Sequence, residues 1–210
     1  MSVSETSVVT PRESTLSHLL TSLLFTVATV VVFGFIYPAA ITLIGMVAFP
    51  HQAAGSLVRN AQGTVVGSQI IGQLFTKPQY FHGRPSAAGK NGYDPTATGG
   101  TNLAPTSHKL IDATRATIRG LRAEDSMASE PPIDLVTSSG SGIDPDISPE
   151  AAQYQITRVA AARHLSRDVL ASLVNSHIVP RALGFLGEPR VNVLELNRAL
   201  EAYTPKLGVN

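Results

Sequence analysis

Apolar and polar positions are unevenly shared along this chain. From Leu19 through Pro50 there is no charged residue. The run Leu19-Leu-Thr-Ser-Leu-Leu-Phe25 continues through Val30-Val-Val-Phe33 and closes near Val47-Ala-Phe49. A helix needs about 20 apolar residues to cross the hydrocarbon core, so this run predicts a membrane span with turns to spare. A buried core helix rarely runs so long without a charge. A cleaved signal peptide has an apolar stretch of about 7–15 residues followed by a small-x-small site, and this stretch is roughly twice that length with no such site. The pattern predicts a retained signal anchor: a tail over 1–16, a transmembrane helix over 17–50 and an extramembrane domain over 51–210. Arg12 and Arg59 flank the span symmetrically, so positive charge does not orient it. A short tail before a long domain fits a cytoplasmic tail. Within the span Gly34, Pro38 and Gly45 fall at i, i+4 and i+11. At about 100° per residue they lie within roughly 40° of one another, a small-residue stripe suited to a partner helix. Gly and Pro are also commoner in membrane helices generally. Pro38 predicts a kink.

Beyond the span the periods change from segment to segment. Gly55–Arg59, a turn over Asn60–Gly63 and Thr64–Val66 predict a hairpin, with Ser68–Gly72 a candidate continuation of strand. Thr76–Pro105 is rich in Gly, Pro, Asn and Ser without sustained period, a long loop whose aromatics Tyr80, Phe81 and Tyr93 predict an ordered surface. Thr106–Arg122 predicts a helix with Leu110, Ala113, Ile118 and Leu121 in step. Ala123–Pro132 is a polar connection and Ile133–Val136 a candidate strand. Ser148-Pro149-Glu150 opens a helix expected to reach Arg163, since the hydroxyl caps, proline suits the first position and the acid suits the first turn. Another helix starts at Ser166, with Val169, Leu170, Leu173 and Val174 on one face. The last starts at Asn192 with Glu195 as in a capping box, and Val193, Leu196, Leu200 and Tyr203 form its apolar side. Helices and strands are segregated, so the expected fold class is α+β.

Composition narrows the chemistry. Charged residues are only 15 % of the 210-residue chain, against about a quarter in soluble domains, which agrees with a membrane segment diluting them. Sixteen Lys and Arg against fifteen Asp and Glu give no electrostatic call for nucleic acid. Without cysteine there are no disulfides, thiolate metal sites or Cys nucleophile. Gly83-Arg-Pro-Ser-Ala-Ala-Gly89-Lys90 has five residues between its glycines and Asn91 after its lysine, so it is not a phosphate-binding loop. Ser138-Ser-Gly-Ser-Gly142 lacks the glycines a nucleophile elbow needs on both sides of Ser141 and reads as a turn. Asp144 and Asp146 lack the further spaced oxygens of a calcium loop. The six histidines are scattered, with no pair at helical spacing for zinc.

Several stretches resemble the C subunit of the Kdp potassium-transporting ATPase: Gly67-Ser-Gln-Ile-Ile-Gly-Gln-Leu-Phe75, Tyr80-Phe-His-Gly-Arg-Pro-Ser-Ala87 and Gly99-Gly-Thr-Asn-Leu103. Asp134-Leu-Val-Thr-Ser-Ser-Gly-Ser-Gly-Ile-Asp-Pro-Asp-Ile-Ser148, Gln155-Ile-Thr-Arg-Val-Ala160 and Gly187-Glu-Pro-Arg-Val-Asn-Val-Leu-Glu-Leu-Asn197 follow in order. Thr157 stands where that family often has proline, and the tail before Ser17 is longer than usual. The resemblance implies a non-catalytic accessory subunit of an ATP-driven potassium uptake pump in the bacterial inner membrane, with its domain on the outer face over the potassium entrance. The implied partners are a potassium-translocating subunit, a P-type ATPase subunit, a small membrane peptide and the lipid bilayer. ATP and potassium ion belong to the complex, and no cofactor is bound tightly here. The chain indeed has no Asp-Lys-Thr-Gly, the phosphorylated motif of P-type ATPases. The family has been described as a catalytic chaperone that raises the ATP affinity of the ATPase subunit, and a glutamine in its Tyr-Gln-x-x-Arg-Val stretch, here Gln155, has been linked to nucleotide. A domain outside the membrane cannot touch cytoplasmic ATP, so the outer location makes Gln155 a structural or interface residue, or a solvated one. The family-matching loops, with Tyr80, Phe81, Arg84 and Asn102, are then docking candidates. The rival readings are a membrane-anchored envelope hydrolase using Ser141 and a secreted binding module with a cleaved leader.

Overall fold

The computed structural model describes residues 14–124 and 130–203. The expected tail, up to residue 13, and the middle of the 123–132 connection lie outside the described residues. The chain divides into two units, Met1–Ala54 and Gly55–Asn210. The first is one helical segment over Thr15–Ala48, long and apolar enough to cross a membrane by length and composition. It comprises α1 (Thr15–Val31), a π turn (Val32–Ile36) and α2 (Tyr37–Ala48), followed by the short α3 (Pro50–Ala53). Ser14 caps α1, accepting from Ser17 N–H at 3.2 Å. The π turn sits immediately before Pro38, and Tyr37 N–H reaches back to Val32 O. Proline offers no N–H and its ring crowds the preceding turn, so the ladder widens just upstream to accommodate it. The extra residue in that turn corrects the angular count for Gly34, Pro38 and Gly45, which assumed an unbroken 100° step.

The second unit is a mixed helix and sheet domain, the α+β arrangement expected. β1 (Leu57–Arg59) and β2 (Val65–Ser68) form an antiparallel hairpin with a register shift at Val58/Arg59. Asn60 Oδ1 accepts from Gln62 and Thr64 N–H and so closes the turn between them. The strand stops at Ser68 instead of continuing to Gly72. The Ser68 hydroxyl accepts from Ile70 N–H at 3.3 Å, which bends the chain into a local turn. The loop then runs without helix or strand to α4 (His108–Glu124). Ala113 is exposed in α4, and its neighbour Thr114 takes the half-buried position expected of it.

Ile133–Val136 is a short helix, α5, and not a strand. Four residues are too few for period to separate the two states. Its Asp134 is tied to a distant part of the chain, accepting from Ser148 N–H at 2.7 Å and from its hydroxyl at 3.2 Å. β3 (Asp146–Ile147), β5 (Arg190–Asn192) and β4 (Ile178–Val179) form a sheet in the order β3-β5-β4, both pairs antiparallel. The expected helix from Ser148 to Arg163 is two helices, α6 (Pro149–Tyr154) and α7 (Ile156–Arg163), broken at Gln155. α8 (Arg167–Ser176) and α9 (Val193–Ala202) begin at the expected caps, Ser166 and Asn192. Each cap side chain accepts the N–H three residues on, at 3.0 Å for Ser148, 3.3 Å for Ser166 and 3.1 Å for Asn192. α8 packs with α6, α7 and α9, and β5 lies against α6 and α9. Leu170, Val174, Val159, Val191, Leu196 and Leu200 fill the core between them. Leu173 only flanks this core, Val169 is half-buried, and Tyr203 is exposed.

Candidate functional site

The loop that carries the docking candidates is held down by side chains, not by a strand ladder. Phe81 is 0 % exposed and belongs to the core, so it is not available for docking. Asn197 on α9, itself 2 % exposed, accepts from Phe81 N–H at 2.8 Å and donates to Phe81 O at 2.9 Å. One residue further on, Gln155 treats His82 the same way. Its Oε1 accepts from His82 N–H at 2.7 Å, and its Nε2 donates to His82 O at 3.0 Å. The same amide also donates to Ala151 O at 3.1 Å and accepts from Arg158 Nη2 at 2.7 Å. A glutamine amide has two lone pairs and two N–H groups, and all are engaged within the domain. At 3 % exposed, Gln155 is also not a solvated helix-face residue.

Arg158 extends the clamp. Its Nη1 donates to Pro78 O at 2.7 Å and Tyr80 O at 3.0 Å, and its Nε pairs with Glu124 of α4 at 3.2 Å. Arg163 donates to Gln79 O at 2.8 Å and lies over the Tyr80 ring, 5.0 Å from its centroid. The Tyr80 hydroxyl donates to Glu201, an interaction that, with burial, raises the phenol above its usual value. Burial, then the Arg158 cation, lowers the His82 imidazole, whose Nε2 lies 3.0 Å from Lys77 O and 3.4 Å from Arg158 Nη1. Burial also lowers Arg158, against the pull of Glu124.

The rest of the loop closes on the Ser138–Gly142 turn. Ser86 Oγ donates to Gly142 O and accepts from Tyr93 N–H at 2.7 Å. Gly99 N–H donates to Ser141 O at 2.8 Å, and the Tyr93 hydroxyl, pushed up to about 12 by burial, donates to Arg84 O at 2.6 Å. Gly72 permits this closure, since a Cβ there would stand 2.3 Å from Tyr93 Cε1 and 2.7 Å from Asp144 O. Arg84 is half-buried and pairs with Asp144 at 3.3 Å. Asn102 is exposed, at φ 50. The partners of the Ser141 hydroxyl are Ser139 Oγ at 3.5 Å and the Ile143 N–H at 3.3 Å, and neither is a general base. The structure therefore brings Tyr80, Phe81 and Gln155 into one cluster, while Arg84 belongs to a neighbouring one and Asn102 to neither.

A family model described as "K+-transporting ATPase, c chain" matches residues 19–202, so it takes in both the apolar helix and the clamp. The chain belongs to this KdpC family. A "Potassium-transporting ATPase KdpC subunit" of Caulobacter vibrioides is 50 % identical over 193 residues, covering 92 % of this chain and 97 % of the relative. KdpC subunits of Gemmatimonas aurantiaca and Koribacter versatilis are 49 % and 48 % identical, over 89 % and 90 % of this chain and 94 % and 96 % of theirs. In this KdpC domain the loop segment Tyr80–His82 is clamped against α6, α7 and α9. Sequence reasoning missed Arg158, Arg163 and Asn197 as its jaws. Asn197 left a signal, a lone amide on the apolar face that Val193, Leu196 and Leu200 define.

Proposed function

We propose that this chain is a non-catalytic accessory subunit of an ATP-driven potassium uptake pump. It stabilises the assembled pump, with its domain on the outer face over the potassium entrance. The observation that carries this is the near full-length match to the family, joined to an apolar helix long enough to span a bilayer. The potassium-translocating subunit, the P-type ATPase subunit and the small membrane peptide are its partners, and the ATP-hydrolysing site lies on another chain. The complete engagement of Gln155 supports a structural role for it. Any rise in the ATP affinity of the ATPase subunit then passes through the assembled complex, because a buried and satisfied amide has nothing to offer a nucleotide. The stripe at Gly34, Pro38 and Gly45 is the proposed face for partner helices, and at Gly45 a Cβ would meet nothing within 4 Å, so the chain itself leaves that position open. Protease treatment of sealed, right-side-out vesicles tests the topology. Digestion of the domain from outside is expected, whereas digestion only in inverted vesicles would place it in the cytoplasm and overturn the outer location. ATP hydrolysis by the chain purified alone would overturn the non-catalytic reading.

A further inference from the structure

The π turn and Pro38 together unbalance the backbone of the apolar helix. Tyr37 N–H donates to Val32 O, five residues back. In the α-helix that follows, Tyr37–Ala48, Ile41 N–H serves Tyr37 O. The carbonyls of Phe33, Gly34, Phe35 and Ile36 lie between these two bonds, and Pro38, Ala39 and Ala40 are the residues placed to serve them. Proline has no N–H, so two donors face four acceptors and two carbonyls are left over. The Tyr37 phenol adds a third unmet group, for it is 58 % exposed and its hydroxyl bonds to nothing among the described residues. Thr26 and Thr29, by contrast, turn their hydroxyls onto Ser22 O at 2.8 Å and Phe25 O at 2.7 Å.

Depth decides what can meet these groups. A hydrocarbon core takes about 20 helical residues. A window of that length within the uncharged run, whether it opens at Leu19 or closes at Pro50, contains Phe33 to Pro38. Water is absent there and lipid tails carry no hydrogen-bond donor, so only protein can satisfy the freed carbonyls. Tyrosine itself ordinarily sits at the membrane surface, where its hydroxyl stays wet. We propose that a carboxamide side chain, Asn or Gln, on a membrane helix of another pump subunit docks at Phe33–Tyr37. The proposal rests on the reading of the chain as a membrane-spanning accessory subunit. A carboxamide has two N–H donors for the two carbonyls and an oxygen for the Tyr37 hydroxyl, which matches the deficit in number and in kind. Gly34 keeps the approach open, since an added Cβ would have only Val30 Cγ1 within 4 Å, at 3.7 Å. A hydroxyl partner would bring one donor for two carbonyls. A second copy of this chain would bring the same surplus of acceptors with Tyr37 as its side-chain donor at that depth, and the deficit would stand.

Photocrosslinking in the intact pump, in its own membrane, tests this with Tyr37 replaced by p-benzoylphenylalanine in the full-length chain. The expected adduct lies on a membrane helix of another pump subunit, within one turn of an Asn or Gln. Pro38→Ala restores an N–H, so the full-length chain should keep or gain helicity by far-UV circular dichroism and yet become a poorer partner. Its recovery with the other subunits in detergent is expected to fall by about three- to thirty-fold. Replacing the crosslinked Asn or Gln by Leu should lower recovery with the parent chain, and lower it no further when Pro38→Ala and Tyr37→Phe are already present. Adducts with lipid alone, adducts with a second copy of this chain, an adduct remote from any Asn or Gln, or no adduct in an assembled pump would each overturn the carboxamide contact. So would a Pro38→Ala chain recovered like the parent. These outcomes leave the accessory-subunit reading standing, whereas failure of the unmodified chain to co-purify with any pump subunit would overturn both.

Discussion

Replacing Gln155 by alanine separates a clamp residue from a ligand contact. The substitution strips His82 of partners for both its N–H and its C=O and removes the acceptor facing Arg158 Nη2. A neutral hydrogen bond contributes about 1 kcal/mol net and one to a charged group about 1.5–3 kcal/mol, so the loss comes to about 3–5 kcal/mol. Against a typical total of about 5–15 kcal/mol that is a large fraction. For a domain of this size it corresponds to a fall in melting midpoint of about 10 °C. Asn197→Ala provides the comparison, because Asn197 makes the same pair of bonds to the adjacent residue, Phe81. Both variants are expected to melt early, Asn197→Ala by the smaller amount that two neutral bonds imply, about 2 kcal/mol, when full-length chain in detergent is followed by near-UV circular dichroism of its tyrosines. The reasoning fails if Gln155→Ala melts within about 1 kcal/mol of the parent. It also fails if Gln155→Ala, stably folded, weakens ATP binding by the assembled pump while Asn197→Ala does not.

Other expectations follow from the same geometry. The folded domain holds His82 below its ordinary value, with Arg158 and Glu124 the charged groups acting on it. The unfolded chain therefore takes up the proton first, near pH 6.5, and stability is lost as pH falls through that value toward the lowered one. A urea midpoint that drops between about pH 7.5 and about pH 5.5 in the parent, and less in His82→Asn, would bear this out. Gly72→Ala should destabilise by about 1–3 kcal/mol, since its Cβ would lie 2.3 Å from the Tyr93 ring. Gly45→Ala should leave the stability of the isolated chain within about 0.5 kcal/mol and lower only its recovery with partner subunits. Ser141→Ala should leave potassium uptake by the pump unchanged, and loss of uptake in a folded variant would revive the serine as a reactive group.

What the sequence discloses is what is decided within a turn of chain. The caps at Ser148, Ser166 and Asn192 are local, each a side chain reaching an N–H three residues away, and their expected positions hold. The apolar helix is equally legible because its signal is uninterrupted composition. Failures begin where distant residues decide. Ile133–Val136 is turned into a helix by a neighbourhood that includes Ser148, and Gln155 breaks a helix whose local period runs straight through it. Phe81 looks like a surface aromatic in a polar loop, yet Asn197, at a separation of 116 residues, draws its backbone into the core. No window of periodicity reaches that far.

The stretches that carry the family resemblance are spread over the chain but meet in space. Tyr80–His82 is gripped by Gln155 and Arg158 from one of them and by Asn197 from another. Gly99 bonds to Ser141, and Gly72 N–H donates to Ile143 O at 2.8 Å. What looks in sequence like a set of separate motifs, one of them linked to nucleotide, is in three dimensions one fastening system that fixes a long loop without a sheet. A buried glutamine in such a system holds the domain together through its own hydrogen bonds to His82, Ala151 and Arg158. A substitution that loosened the clamp would disturb the outer surface of the domain, and with it every contact the subunit makes. Loss of pump function on mutating Gln155 is therefore as well explained by a failed domain as by a lost ligand, and only a variant such as Asn197→Ala, which loosens the adjacent residue of the same loop from outside the Tyr-Gln-x-x-Arg-Val stretch, tells the two apart.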